Sequence, residues 1–383
     1  MADTDPRAAG AEFTALPDLA CRSFGGGVVA ANDELFAERE NLIKPGPPHY
    51  SSYTFGHKGQ VYDGWETRRR REPGHDWALV RLGMPGVVRG VVVDTAFFKG
   101  NYPPEISVEG AAVEGYPSPD ELAATDWTSL VPRSAVEGDA VNEFRVGVEQ
   151  RVTHVRLCLY PDGGVARLRV HGEVVPDPRL LGGGAIDLAA LANGAAVAGC
   201  SNMFYSSPAN LLSPGLARLM GEGWETARRR DDGNDWVEVR LAGPGVVQLA
   251  ELDTSWFVGN APGWAALRGR DERGGEVELL PRTRLQPDTP HRFRLRPAPA
   301  VTHVRLDVFP DGGMARLRLT GVLTRAGREQ LVLRWFTLLP PAHATQVLTA
   351  EGVPVEVAEA TVAARPPGRA DDLPDAIRAA VGL

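Results

Sequence analysis

The chain has 383 residues and three cysteines, with 49 acidic side chains against 41 basic ones for a formal charge of −8. That length accommodates two domains of about 150 residues, each able to bury a core of its own. The acidic balance speaks against non-specific nucleic-acid binding. An odd number of cysteines without a CxxC pair speaks against a disulfide framework or a zinc knuckle, and the absence of an apolar run of about 18 residues speaks against a membrane span. The expectation is a cytoplasmic protein.

Residues 1–17 read as a flexible leader that lacks the basic start and apolar stretch of a secretory signal. A first domain is expected over 18–175, where short β-branched runs are cut by Gly and Pro: Trp77 to Leu82, Val87 to Asp94, Val152 to Tyr160 and Val165 to Val170. Alternation over four to eight residues with frequent turns predicts a sandwich or barrel. Val152 to Val170 is expected to form a hairpin turning at Pro161-Asp162-Gly163-Gly164, with Val155, Leu157 and Leu159 on the core face. Its other face carries His154, Arg156, Arg167 and Arg169, which is either a solvated surface or a ligand site. Trp77 and Trp236 read as core anchors. After a Gly- and Pro-rich linker a second domain is expected over 186–325. From Leu331 the composition changes, and Ala342 to Thr349, Pro354 to Ala363 and Asp372 to Leu383 carry helical spacing, so 331–383 is expected to be a helical tail.

The two domains are copies. Gly64-Trp65-Glu66-Thr67 returns as Gly223-Trp224-Glu225-Thr226, Asp94-Thr95 with Gly100-Asn101 as Asp253-Thr254 with Gly259-Asn260, and Thr153-His154-Val155-Arg156-Leu157 as Thr302-His303-Val304-Arg305-Leu306. Self-similarity of this length means two whole domains rather than a short-unit solenoid. The first copy carries loop insertions, one of them bearing His57. It also holds Arg68 and His75 where the second has Ala227 and Asn234. An extended Trp65-to-Arg70 stretch would put Glu66, Arg68 and Arg70 on one face, a carboxylate between two guanidiniums.

With both copies of these motifs in order, the sequence resembles the allantoicase family from roughly Asp18 to Thr320. The resemblance implies an all-β protein of two tandem jelly-roll β-sandwiches, galactose-binding-like in type, followed here by the short helical C-terminal appendage. It implies hydrolysis of allantoate to ureidoglycolate and urea in purine degradation. Phe97 and Trp256 stand where some relatives are expected to have a His, so no catalytic role is carried over to them. The stretch Trp335 to Ala342 resembles the opening of a 2-oxo-4-hydroxy-4-carboxy-5-ureidoimidazoline decarboxylase. Leu383 precedes any His-Pro element of that family, so an inert remnant is expected.

Allantoate carries one carboxylate and two ureido groups on one carbon, which calls for a guanidinium fork, amide-matching groups and a proton donor for the departing urea nitrogen. Arg68, Arg70 and Arg156 are expected to bind the carboxylate or a ureido group and Asn101 a ureido group, with Glu66, Asp94 and His154 in proton transfer. The first copy is expected to hold the main site. No Gly-rich phosphate loop opens a helix, so neither nucleotide nor flavin is expected, and no HxH or HExxH spacing supports a divalent metal. The partner is the small substrate, with no nucleic acid and no membrane, and a homo-oligomer is left open. The alternative from another class is a carbohydrate- or small-ligand-binding sandwich without catalysis.

Overall fold

The computed structural model describes residues 12–50, 54–56 and 59–383; His57 lies outside the described residues. The chain divides into two compact units. One gathers the residues up to Val175 with Leu338–Val347, the other Pro176–Thr337 with Leu348–Leu383.

In the first unit the strands are β1 (Gly27–Ala31), β2 (Phe55–Gly56), β3 (Gly59–Gln60), β4 (Trp65–Glu66), β5 (Asp76–Asp94), β6 (Glu105–Ala111), β7 (Thr128–Ala135), β8 (Val141–Arg145), β9 (Arg151–Tyr160), β10 (Gly164–Val165) and β11 (Arg167–Val174). A short helix α1 (Pro119–Ala123) opens on a Ser118–Glu121 capping box. The organising element is β5, 19 residues long. Its first half, Asp76 to Arg81, pairs antiparallel with β1 and β9, and its second half, from Gly86 onward, pairs with β11 and β8. The register breaks at Gly83-Met84-Pro85-Gly86, so one strand serves both sheets of a sandwich, a corner of the kind bulges allow. Between the sheets lie Val80, Val91, Val93, Val155, Leu157, Leu159, Leu168 and Val170, all fully buried.

The second unit repeats this plan with β12 (Ile186–Asp187), β13 (Ala196–Cys200), β14 (Trp224–Glu225), β15 (Asp235–Asp253), β16 (Trp264–Arg270), β17 (Glu276–Arg284), β18 (Pro290–Arg294), β19 (Val301–Phe309), β20 (Gly313–Met314) and β21 (Arg316–Leu323). Here β15 plays the part of β5, pairing with β13 and β19 in its first half and with β18 and β21 in its second. The tail comprises α2 (Arg325–Leu338), α3 (Pro341–Ala350), α4 (Val355–Ala363) and α5 (Asp375–Ala380). Helix α2 starts upstream of the composition change at Leu331 because the Thr324 hydroxyl accepts from the Gly327 N–H at 3.0 Å, as an N-cap does.

Two expectations from the sequence give way here. The strands β9 and β11 do not pair with each other and so form no hairpin. After Pro161-Asp162-Gly163 the chain makes the small ribbon β10–β4, with Gly164 opposite Glu66 and Val165 opposite Trp65, and then crosses to the other half of β5. The tryptophans fully buried within the two sandwiches are Trp65 and Trp224, with Trp335 buried likewise on α2, whereas Trp77 and Trp236 are half-buried on the outer faces. Alternation marks which residues share a face, but both faces of a strand can be covered in a packed domain.

Candidate functional site

The β4–β10 ribbon is where the repeated motifs meet. The Trp65 indole is sealed in the core and donates to the Asp33 carbonyl at 2.8 Å, which orients the strand and turns the next side chain, Glu66, to the opposite face of the ribbon, where it too is buried. Opposite Glu66 is Gly164, whose missing side chain leaves the space that Phe98 fills; an added Cβ would stand 2.1 Å from the Phe98 ring. The Asn101 carbonyl accepts from the Gly164 N–H at 2.7 Å, and the Asn101 amide donates to Glu66 Oε1 at 2.7 Å. Asn101 is therefore held at the ribbon by its main chain and meets Glu66 with its side chain. Burial raises the Glu66 pKa above the ordinary glutamate value, and the Asn101 bond opposes that rise without cancelling it. A carboxyl held this way keeps its proton closer to neutrality than a solvated one does, as a proton donor must.

The loop that delivers Asn101 begins at Asp94. Its carboxylate accepts from the Ala96 N–H at 2.8 Å, an Asx turn, and burial raises its pKa against that bond and the nearby Arg167 and Arg169. The Thr95 hydroxyl donates to the Glu137 carbonyl at 2.6 Å, and Phe97 takes φ 71 with its N–H bonded to the Asp139 carboxylate at 2.8 Å. A bulky residue in the left-handed region is an outlier that its surroundings must hold in place. The second unit repeats each part: Asn260 to Glu225 at 2.6 Å, Ser255 N–H to Asp253 at 2.8 Å, and Trp256 at φ 74 bonded to Asp288.

The expected carboxylate between two guanidiniums does not form, because the extended stretch ends at Glu66 and its neighbours turn to other partners. The Arg68 Nε and N–H both reach the Asp33 carboxylate, at 2.5 and 2.9 Å, while the Arg68 side chain as a whole is 66% exposed. Arg70 donates to the buried Asp76 at 2.7 Å, and Arg229 does the same to Asp235 at 2.8 Å. That is an ion pair both copies need to close the loop onto the long strand. Asp33 was not singled out from the sequence. The signal lies between the copies, since Asp33 and Arg68 become Asn202 and Ala227 together, with the Ala227 N–H bonded to the Asn202 side chain at 3.0 Å.

His154 and Arg156 are not part of this cluster. In register, Leu159 faces Asp76 near the ribbon and His154 faces Arg81, five residues along β9, which at strand rise is about 17 Å away. His154 is 2% exposed, its Nδ1 lies 2.8 Å from the Thr153 hydroxyl, its Nε2 is buried without a hydrogen-bond partner among the described residues, and burial followed by the Arg81 charge lowers its pKa to about 4. Arg156 donates to Glu109 at 2.6 Å and lies over the Trp127 ring at 4.6 Å, on the outer face of its sheet. Arg167, expected on that same face, is instead buried and bonded to Asp63 at 2.6 Å. Its strand belongs to the other half of β5. Among the described residues no group of three or more His, Cys, Asp or Glu side chains is placed to hold a metal ion. Nor is any helix among them long and apolar enough to cross a membrane.

Residues 17–175 and 186–324 each match the family model described as the allantoicase repeat. A protein of Nocardia farcinica named probable allantoicase is 63% identical over 314 residues, covering 81% of this chain and 95% of the relative. One of the same name from Streptomyces coelicolor is 55% identical over 344 residues, covering 86% and 92%. Among solved structures, the allantoicase of Saccharomyces cerevisiae superposes with a TM-score of 0.70 at 34% identity, over 81% of this chain and 96% of that one.

Proposed function

This chain belongs to the allantoicase family, and from that premise we propose that it hydrolyses allantoate to ureidoglycolate and urea, a step of purine degradation, at a site built on Glu66 and Asn101. The observation that supports the site is the 2.7 Å bond between a buried Glu66 carboxyl and an amide brought by the repeated Asp-Thr…Gly-Asn loop. In this reading protonated Glu66 gives its proton to the ureido nitrogen as the C–N bond to the central carbon breaks. The ionised carboxylate takes a proton back from the water whose oxygen bonds to that carbon. Atoms and charge balance in either order of the two steps: allantoate and water become ureidoglycolate and urea, and Glu66 returns to its starting state. The Asn101 side-chain oxygen is the acceptor for a ureido N–H, and the exposed Arg68 side chain is the fork for the carboxylate. Asp94 acts by shaping the loop that carries Asn101. His154, Arg70 and Arg156 are left out of the chemistry, for their partners and positions serve the fold.

The first repeat is the better candidate for the working site, since Arg68 has Ala227 as its counterpart. The likeness of the tail to the opening of a ureide-processing decarboxylase agrees with the same metabolic context. The test is urea release from allantoate by the purified protein, comparing Glu66→Gln with Glu225→Gln. Loss of a catalytic acid typically costs about 10²- to 10⁴-fold in rate, so Glu66→Gln should fall by that order while Glu225→Gln keeps most activity. Melting of Glu66→Gln should be unchanged or slightly higher at neutral pH, because a carboxyl of raised pKa weakens the fold as pH climbs above its unfolded value. Equal losses in both variants would refute the choice of copy, and full activity in Glu66→Gln would refute the site.

A further inference from the structure

The two repeats serve as internal controls for each other: what one alone contains serves something only that repeat does. Phe98 and Phe257 are common to both, buried against Gly64 and Gly164 in one and Gly223 and Gly313 in the other. What covers Phe98 is not common. The Tyr62 ring stacks on it with centroids 5.3 Å apart and planes 29° apart, and at the corresponding position, three residues before Trp224, stands Gly221. Met220, next to that glycine, sends its thioether to Asn260 at 3.4 Å, so the second copy offers its Glu–Asn pair a soft, poorly accepting sulfur. The first copy has a phenol, Tyr62, where that glycine stands, and the Tyr50 ring lies 5.5 Å from that of Phe97, the residue held in the left-handed conformation.

Phe98 lies against Gly164, and Gly164 is the register partner of Glu66, so a ring stacked on Phe98 belongs to the same end of the sandwich as the Glu66–Asn101 pair. The Tyr62 ring is half-buried. Burial first, and then the Glu66 and Tyr50 charges, raise the pKa of its hydroxyl, which keeps it a neutral donor at physiological pH.

We propose that Tyr62 is a substrate-contact residue of the first repeat, its hydroxyl donating a hydrogen bond to a ureido carbonyl oxygen of allantoate beside the Glu66–Asn101 pair. The second repeat lacks this contact because Gly221 replaces it. This assignment rests on Glu66 and Asn101 forming the reacting site. A ureido group presents N–H donors and a carbonyl acceptor, and Asn101 and Tyr62 supply the matching acceptor and donor. The contact is made to a group that is neutral before and after the C–N bond breaks, so its loss weakens binding of substrate and transition state alike.

The test compares Tyr62→Phe, Tyr62→Leu and Glu66→Gln with the wild type in urea release from allantoate, together with thermal melting. Tyr62→Phe retains the stack on Phe98 and removes one hydroxyl. The expected result is a roughly tenfold rise in KM, with kcat within about threefold, from loss of one net hydrogen bond. Tyr62→Leu should raise KM at least as much. KM does not depend on the fraction of molecules folded, so a merely structural role would lower apparent kcat and melting without moving KM. If Tyr62→Phe keeps the wild-type KM while Glu66→Gln is inactive, the Tyr62 contact is overturned and the Glu66 site stands. If Glu66→Gln is fully active, the site itself falls and the Tyr62 contact falls with it.

Discussion

His154 offers the sharpest test of whether the geometry has been understood, because it is conspicuous in the sequence and is placed in the core by the fold. Its imidazole is 2% exposed and its pKa is lowered to about 4, first by burial and then by the Arg81 charge. In the unfolded chain a histidine titrates near 6.5. Between pH 6.5 and about 4 the unfolded state therefore binds a proton that the native state refuses, and stability falls as the pH falls through that window. Above pH 6.5 the imidazole is neutral in both states and contributes no slope. A difference of about 2.5 pKa units corresponds to about 3 kcal/mol at the acid end of the window, or about 6–12 °C in Tm for a unit of this size. Carboxylates titrate over part of the same range, so the measurement is the difference between wild type and His154→Gln in melting, taken from pH 8 to pH 4. The variant should be less stable than the wild type at pH 8 and should close the gap as the pH falls, while releasing urea from allantoate at close to the wild-type kcat. A parallel pH dependence in the two proteins would refute the buried neutral imidazole. A loss of kcat of a hundredfold with unchanged melting would return His154 to the chemistry.

The other consequences concern the ribbon and its supports. Arg70→Met leaves the buried Asp76 carboxylate without its guanidinium and should cost about 3–5 kcal/mol in denaturant unfolding, and Arg229→Met should shift the unfolding midpoint in the same direction by taking the guanidinium from Asp235. Arg68→Ala breaks an ion pair whose arginine is largely exposed, so its stability cost should stay below about 1 kcal/mol, while KM for allantoate should rise through loss of the carboxylate fork. Gly164→Ala puts a methyl group 2.1 Å from the Phe98 ring and should destabilise by about 1–3 kcal/mol while lowering activity, because Phe98 can yield only by disturbing the ribbon that presents Glu66. An unchanged melting temperature for that variant would mean the ribbon is looser than its geometry indicates.

Much of the molecule was legible without coordinates. The duplication lies in the residues themselves, since two runs of Trp-Glu-Thr, Asp-Thr…Gly-Asn and Thr-His-Val-Arg-Leu in the same order can be produced only by two domains of one plan. Alternating β-branched runs specify strands because side-chain direction along a strand has period two. Family membership followed from the same motifs, as did Glu66 and Asn101 as residue types suited to ureide chemistry. Tertiary structure decided which of those residues meet. Alternation placed His154, Arg156, Arg167 and Arg169 on one face of a hairpin, but β9 and β11 lie on different halves of the bent β5, so Arg167 is buried on Asp63 and Arg156 turns to Glu109. Spacing likewise set Glu66, Arg68 and Arg70 on one face. The strand ends at Glu66, however, and each arginine takes the nearest buried carboxylate, Asp33 or Asp76, because an unpaired buried charge costs more than an exposed pair gains. Local sequence sets the direction in which each side chain leaves its strand. Which partner waits there depends on contacts between segments distant in the chain, such as Gly164 with Glu66 and Asn101 with both, and those arise only when the sandwich closes.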